Sequence, residues 1–202
     1  MKIAILMEGE TERVFLSHLR EFLRPRLLGK MPRLISNKYD GRIPKEEKLK
    51  RVVEALLRGR DPDADHVIAL TDVYTGSNDF QNAEDAKQKM RSWVGPNEHF
   101  HTHVAQYDFE AWLLPYWPAI QELARHNRTA PAGRPESINH NHPPSHHIKA
   151  IFRTGKGPRH YTKTRDAGRI LQGKDLSVAA AACPELRAFL NTILTLSNSD
   201  PI

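Results

Sequence analysis

Two short apolar runs, Ile3-Ala4-Ile5-Leu6-Met7 and Val67-Ile68-Ala69-Leu70, each lead to an acid, Glu8 in the first case and Asp72 in the second. Runs of this length, bounded by polar residues, read as buried parallel strands. Each strand would carry its acid to the carboxyl edge of a sheet, where open α/β folds bind ligands. Between the runs, Thr11 to Leu23 places Val14, Phe15, Leu19, Phe22 and Leu23 on one face at helical spacing. Pro25 and Gly29-Lys30-Met31-Pro32 break that helix, and Arg33 to Asn37 is a short candidate strand before an Asp40-Gly41 turn. Residues 45–58 return to helical period, with Leu49, Val52, Val53, Leu56 and Leu57 apolar. Ala83 to Val94 reads as another helix, and His101 to Gln106 as a weakly alternating fourth strand. Phe109 to Leu123 then forms an aromatic-rich helical stretch interrupted by Pro115 and Pro118. Strands that alternate with helices predict an α/β fold with a mainly parallel sheet flanked by helices.

From Asn127 to Pro144 the chain turns to Pro, Asn, His and Arg with few large apolar residues, the composition of a loop or linker. Helical periods resume at 145–153, 165–172 and 184–196, the last with Leu186, Phe189, Leu190, Ile193 and Leu194 on its buried side. The expected organisation is an α/β domain over 1–126, a linker over 127–144, and a small helical extension over 145–202 packed on the same domain.

Composition narrows the functional classes. The chain of 202 residues has a single cysteine, Cys183, which excludes an intrachain disulfide and suits a reducing, cytoplasmic compartment. No apolar run approaches the roughly 20 residues needed to cross a bilayer, so no membrane partner is expected. The formal charge of +6 suits a phosphate-bearing partner such as nucleic acid, or only solubility.

The motifs make the expectation more specific. Glu8-Gly9-Glu10-Thr11-Glu12 ahead of an amphipathic helix, with a later strand ending in Thr71-Asp72-Val73-Tyr74, resembles the Toprim metal-binding fold. In chain order follow Asn78-Asp79-Phe80, Gln106-Tyr107-Asp108-Phe109-Glu110-Ala111, Pro144-Ser145, Tyr161-Thr162-Lys163 and Ala182-Cys183-Pro184. Together these resemble a Toprim-like bacterial family of uncharacterised function, and some Toprim relatives are phage-defence nucleases. The resemblance implies a Rossmannoid sheet and a phosphodiesterase that uses Mg²⁺ or Mn²⁺ on nucleic acid, with a companion defence protein as a further partner. In the broader Toprim group the second motif is Asp-x-Asp, whereas Tyr74 stands at its third position here and removes one hard oxygen ligand. A non-catalytic subunit that binds nucleic acid, a nucleotide or a protein is therefore the alternative reading.

Individual residues carry these roles. Glu8 and Asp72 are the expected catalytic metal ligands, with Glu8 also a candidate general acid/base. Glu12, four residues after Glu8, either joins them or favours the helix dipole. Glu110 follows the fourth apolar run and is a further candidate ligand, with Asp108 as a helix cap; Asp79 is a weaker candidate. Lys149, Arg153, Lys156, Arg159, His160, Lys163, Arg165 and Arg169 form a basic run suited to phosphate contacts, or a solvated helix face, and Tyr161 within it could stack on a base. Lys163 is the candidate for a phosphate or transition-state contact. Gly155-Lys156-Gly157 lacks Walker-loop spacing, so ATP hydrolysis of that type is not expected. His140, His142, His146 and His147 lack the spacing and cysteine partners of structural zinc sites and are read as solvated, and Cys183 as buried.

Overall fold

The computed structural model describes residues 1–39, 41–73, 79–138, 142–157 and 159–202. Tyr74 and Asn78 of the motifs lie outside the described residues, as do Asp40 and His140.

The first half of the chain alternates strand and helix: β1 (Lys2–Met7), α1 (Glu10–Leu23), β2 (Arg33–Lys38), α2 (Glu46–Leu57), β3 (His66–Val73), α3 (Ala83–Val94) and β4 (Phe100–Gln106). The strands form one four-stranded sheet in the order β2-β1-β3-β4, and every neighbouring pair is parallel. The expected parallel α/β architecture is thus the observed one. Parallel strands need crossover helices, which cover both faces and bury the strands on both sides. Alternation along β1 shows this directly: Ile3, Ile5 and Met7 enter one core with Phe15, Leu19 and Phe22 of α1. Ala4 and Leu6 enter the other, with Leu49 and Val53 of α2 and Ala86 and Met90 of α3.

This strand order makes a switch point between β1 and β3. The chain leaves β1 for β2 on one side and returns across β1 to build β3 and β4 on the other. In open α/β sheets the crevice at the carboxyl ends of such a strand pair is where ligands bind.

The second half differs from the sequence expectation in three places. Phe109–Tyr116 is a 3₁₀ segment, and only Trp117–Ala124 is an α-helix, α4. Pro115 has no N–H to donate to the carbonyl of Ala111, and Phe109 to Leu114 are all buried, so the segment has no polar face to present to solvent. Within the Pro- and His-rich stretch, Pro135–Ser137 forms a short turn of helix. Glu136 there is pinned, accepting from the Trp112 indole at 3.1 Å and from the backbone N–H of Glu185 at 3.0 Å. After α5 (Pro144–Thr154) and α6 (Lys163–Leu171) comes an unexpected helix, α7 (Leu176–Ala182), ahead of α8 (Pro184–Leu196). Asp175 caps α7 through the N–H of Ser177 at 3.0 Å. Its alanine-rich interior lacks the large apolar residues that a periodicity reading needs.

Aromatic packing fastens the late helices to the sheet. Trp112, 1% exposed, meets Phe15 of α1, Phe109 and Phe189 of α8 with ring centroids 5.6, 5.3 and 6.0 Å away. Because that ring joins the first helix, the 3₁₀ segment and the last helix, its loss should be felt by the whole core. Trp112→Ala is expected to destabilise the protein by about 3–5 kcal/mol. Urea unfolding would show this as a lower midpoint in a single transition, whereas an unchanged midpoint would refute the shared core.

Candidate acidic cleft at the β1/β3 edge

Strand register brings the two motif acids together. Leu6 pairs with Ala69, so Glu8, two residues on, stands beside Thr71 and Asp72. The Thr71 hydroxyl donates to Glu8 Oε1, and the backbone N–H of Asp72 donates to the same oxygen at 3.2 Å. Gly9 continues extended, and α1 then starts at once, so its N-terminal turn faces the same edge. Glu12 on that turn, Asp72, Phe109, Lys163 and Thr164 join Glu8 around a cleft of about 310 Å³.

The acids are buried but poorly compensated. Glu8, Asp72 and Glu12 are 5%, 6% and 7% exposed. Burial pushes the Glu8 carboxyl up to about 7 and outweighs its bonds to Thr71 and Asp72, with Glu12 raising it further. Asp72 is held well above the usual carboxylate range by burial first and then by Glu8, Glu12, Asp108 and Glu110. Burial also raises Glu12, against its own helix-terminal N–H groups and Lys163. Such a cluster gains from a bound cation, and its oxygens are the hard donors that Mg²⁺ and Mn²⁺ favour. Among the described residues no group of three or more His, Cys, Asp or Glu side chains is arranged to hold a metal ion. A cation there would have to be held by one or two carboxylates, with Glu8 and Asp72 as the available donors and water completing its shell.

Lys163 lines the cleft, whereas Glu110 lies in a layer behind it. Glu110 is fully buried behind the cleft and does not line it; its Oε2 accepts from Lys163 Nζ at 3.4 Å. The Lys163 side chain is 44% exposed, so its ammonium bridges from Glu110 to the cleft. Burial would lower the Lys163 pKa, but Glu110, Asp72 and Asp108 raise it above the ordinary value and keep it charged. Asp108 is pushed up to about 7, by burial first and Glu110 second; its Oδ2 accepts from the N–H of Ser145 at 3.1 Å in the first turn of α5. Thr71 was not legible as a site residue, although its place beside Asp72 at a strand end was the available signal.

The remaining candidates fall elsewhere. Tyr161 is buried, with its ring 5.5 Å from that of Phe152, and presents no open face to a base. Lys149 and Arg153 lie on α5 away from the acidic cleft, whereas Lys156 and Arg159 line a second cleft beyond α6. Asp79 pairs with Arg42 and with Lys45, the latter at 2.6 Å. Cys183 is buried, its thiol pushed up by burial. The rings of His142, His146 and His147 gather near the start of α5, with His142 and His146 at 4.7 Å between centroids, but they too form no metal-holding group.

The chain is similar to the C-terminal region of the Burkholderia pseudomallei OLD protein at 13% identity and a TM-score of 0.55, over 96% of this chain and 98% of that one. It is also similar to the C-terminal region of the Xanthomonas campestris pv. campestris OLD protein at 15% identity and a TM-score of 0.45, over 93% of each chain. At such identity the first likeness shows the fold alone. No curated protein matches the chain. The family described as "Domain of unknown function (DUF4276)" matches residues 7–194, nearly the whole chain, and the protein belongs to that family.

Proposed function

We propose that the acidic cleft is a divalent-metal phosphodiesterase site acting on nucleic acid, with Glu8 and Asp72 as the principal ligands. The observation that carries this reading is the convergence of Glu8, Asp72, Glu12 and Lys163 on one cleft at the β1/β3 switch point. A bound Mg²⁺ or Mn²⁺ would polarise a phosphoryl oxygen and acidify a water. The protein's own groups supply the rest. The Thr71 hydroxyl and Asp72 N–H fix the Glu8 carboxylate and leave its other oxygen for the cation or for proton transfer. Lys163, held by Glu110, offers a fixed positive charge to a phosphate oxygen as negative charge develops there. The phage-defence setting rests on the Toprim resemblance alone.

Incubation with DNA and RNA panels in Mn²⁺ tests the reading directly. The wild type is expected to cut at least one panel member that Asp72→Ala leaves intact. Salt-dependent binding that survives Asp72→Ala, with no cleavage by either protein, would move the assignment to a binding subunit. Lys163→Gln is expected to lower the cleavage rate by roughly 10²–10³ while metal affinity, read by calorimetry, changes little.

The buried acids also predict a stability signature. The Glu8 carboxyl titrates near 7 in the fold against 4.5 ordinarily, so between those values the folded protein keeps a proton that the unfolded chain has released. A raised acid stabilises below its unfolded pKa, and that stability is lost as pH rises through the folded pKa. In EDTA the melting temperature is therefore expected to fall between about pH 5 and pH 8, and Mg²⁺ or Mn²⁺ should flatten the fall. Asp72→Asn should raise the metal-free melting temperature at neutral pH by roughly 2–4 °C, equivalent to about 1 kcal/mol. A lower melting temperature would instead assign Asp72 a structural role.

A further inference from the structure

The second cleft, of about 740 Å³, lies at the far end of α6 and collects cations from separate parts of the chain: Arg125 after α4, Lys156 and Arg159 after α5, Arg169 on α6, and Lys174. Glu122 is the acid on its rim. Arg159 is tied to Asp166 at 2.6 and 3.0 Å. Among the described residues, Arg125, Lys156, Arg169 and Lys174 have no carboxylate partner. Unpaired cations gathered in a concave site repel one another, so their arrangement favours an anionic occupant.

The backbone beneath these side chains is fixed. Gly155 passes so close to α4 that a Cβ there would lie 1.8 Å from the carbonyl oxygen of Ala124. Next to it, the N–H of Lys156 donates to the carbonyl of Arg125 at 3.2 Å, and Arg125 itself adopts φ +52°. The backbones of two cation-bearing residues from distant stretches of chain are thereby held side by side. They also border a neighbouring hollow of about 700 Å³ that adds His126, Asn127 and Thr154, so the polar surface continues past them.

Helix α6 connects this surface with the acidic cleft. Lys163 and Thr164 at its start line the acidic cleft, while Arg169 and the following Gln172 line the basic one. Lys163 and Arg169 lie six residues apart on α6, an axial rise of about 9 Å, a distance that a few nucleotides can span. The described lining of the basic cleft holds no aromatic ring on which a base could stack. Cations without a stacking platform match a sugar–phosphate chain better than a nucleoside.

We propose that the basic cleft is a backbone-binding track that holds nucleic acid by its phosphates, without reading its bases, and feeds the strand along α6 to the acidic cleft. The feeding direction rests on the phosphodiesterase reading above; the binding itself does not.

Fluorescence anisotropy with labelled single-stranded DNA and RNA of mixed sequence, in EDTA so that nothing is cut, tests the track. The side chains of Lys156, Arg169 and Lys174 belong to exposed residues, so the triple variant Lys156→Gln, Arg169→Gln, Lys174→Gln should remain folded. It is expected to bind at least about tenfold more weakly at low salt, and the slope of log affinity against log salt should fall by roughly 2, about 0.7 for each lost cation. A matched control, Lys30→Gln, Arg58→Gln, Arg60→Gln, removes the same charge from exposed positions elsewhere and should bind within about twofold of wild type. Asp72→Ala should also bind normally in this assay, so failure of the catalytic reading would leave the track standing. Wild-type binding by the cleft variant, an equal loss in the charge control, or displacement of the oligonucleotide by ATP at equal concentration would each overturn the proposal.

Discussion

The parallel pairing of β1 with β3 is the constraint on which the rest depends. Both strands are buried on both faces, and a slip of one residue would turn every β1 side chain from one core to the other. With the register held by that double core, Glu8 has no choice but to emerge beside Thr71 and Asp72. The placement of Glu8 beside Asp72 is thus a by-product of hydrophobic packing in the sheet.

The molecule contains two kinds of buried acid, and their contrast separates structure from site. Asp166 is fully buried, yet Arg159, Arg165 and the N–H of Thr162 surround it; burial alone would raise its pKa, and these partners hold it low instead. That acid is satisfied and organises the loop ahead of α6. Glu8 and Asp72 are less well compensated: Arg42 lowers Glu8 but does not offset its burial, and Lys163, which lines the same cleft, donates to Glu110. A fold that leaves carboxylates crowded in this way carries a local cost in stability, the pattern expected where a ligand completes the site.

Helix α6 does double duty in this arrangement. Its packing on α1 is close enough that a Cβ at Gly168 would come within 3.1 Å of Val14, which fixes the height of Lys163 relative to the N-terminal turn of α1. The late helices are therefore part of the machinery that sets the cleft, since the cation-bearing end of one of them forms its wall.

Much of this was legible in local sequence pattern. Apolar runs ending at Glu8 and Asp72, helical periodicity in 11–23 and 45–58, and the weak alternation before Gln106 all depend on a repeat of about 2 or 3.6 residues, which any short window reveals. What that pattern left open were features that no short window contains. Pro115 turned a helical-looking aromatic stretch into a 3₁₀ segment, α7 formed from small residues without a strong apolar face, and Glu136 anchored a stretch that reads as linker. Tertiary structure alone decided that Glu110 would stand behind Lys163 rather than in the cleft, that Tyr161 would be buried, and that Arg125 would line one cleft with Lys156 and Arg169. The sequence by itself determined the apolar faces of the strands and of most helices and which strands end in acids, because those depend on near neighbours. Only the fold decided which charges face each other, because that depends on strand order and on contacts between residues far apart in the chain.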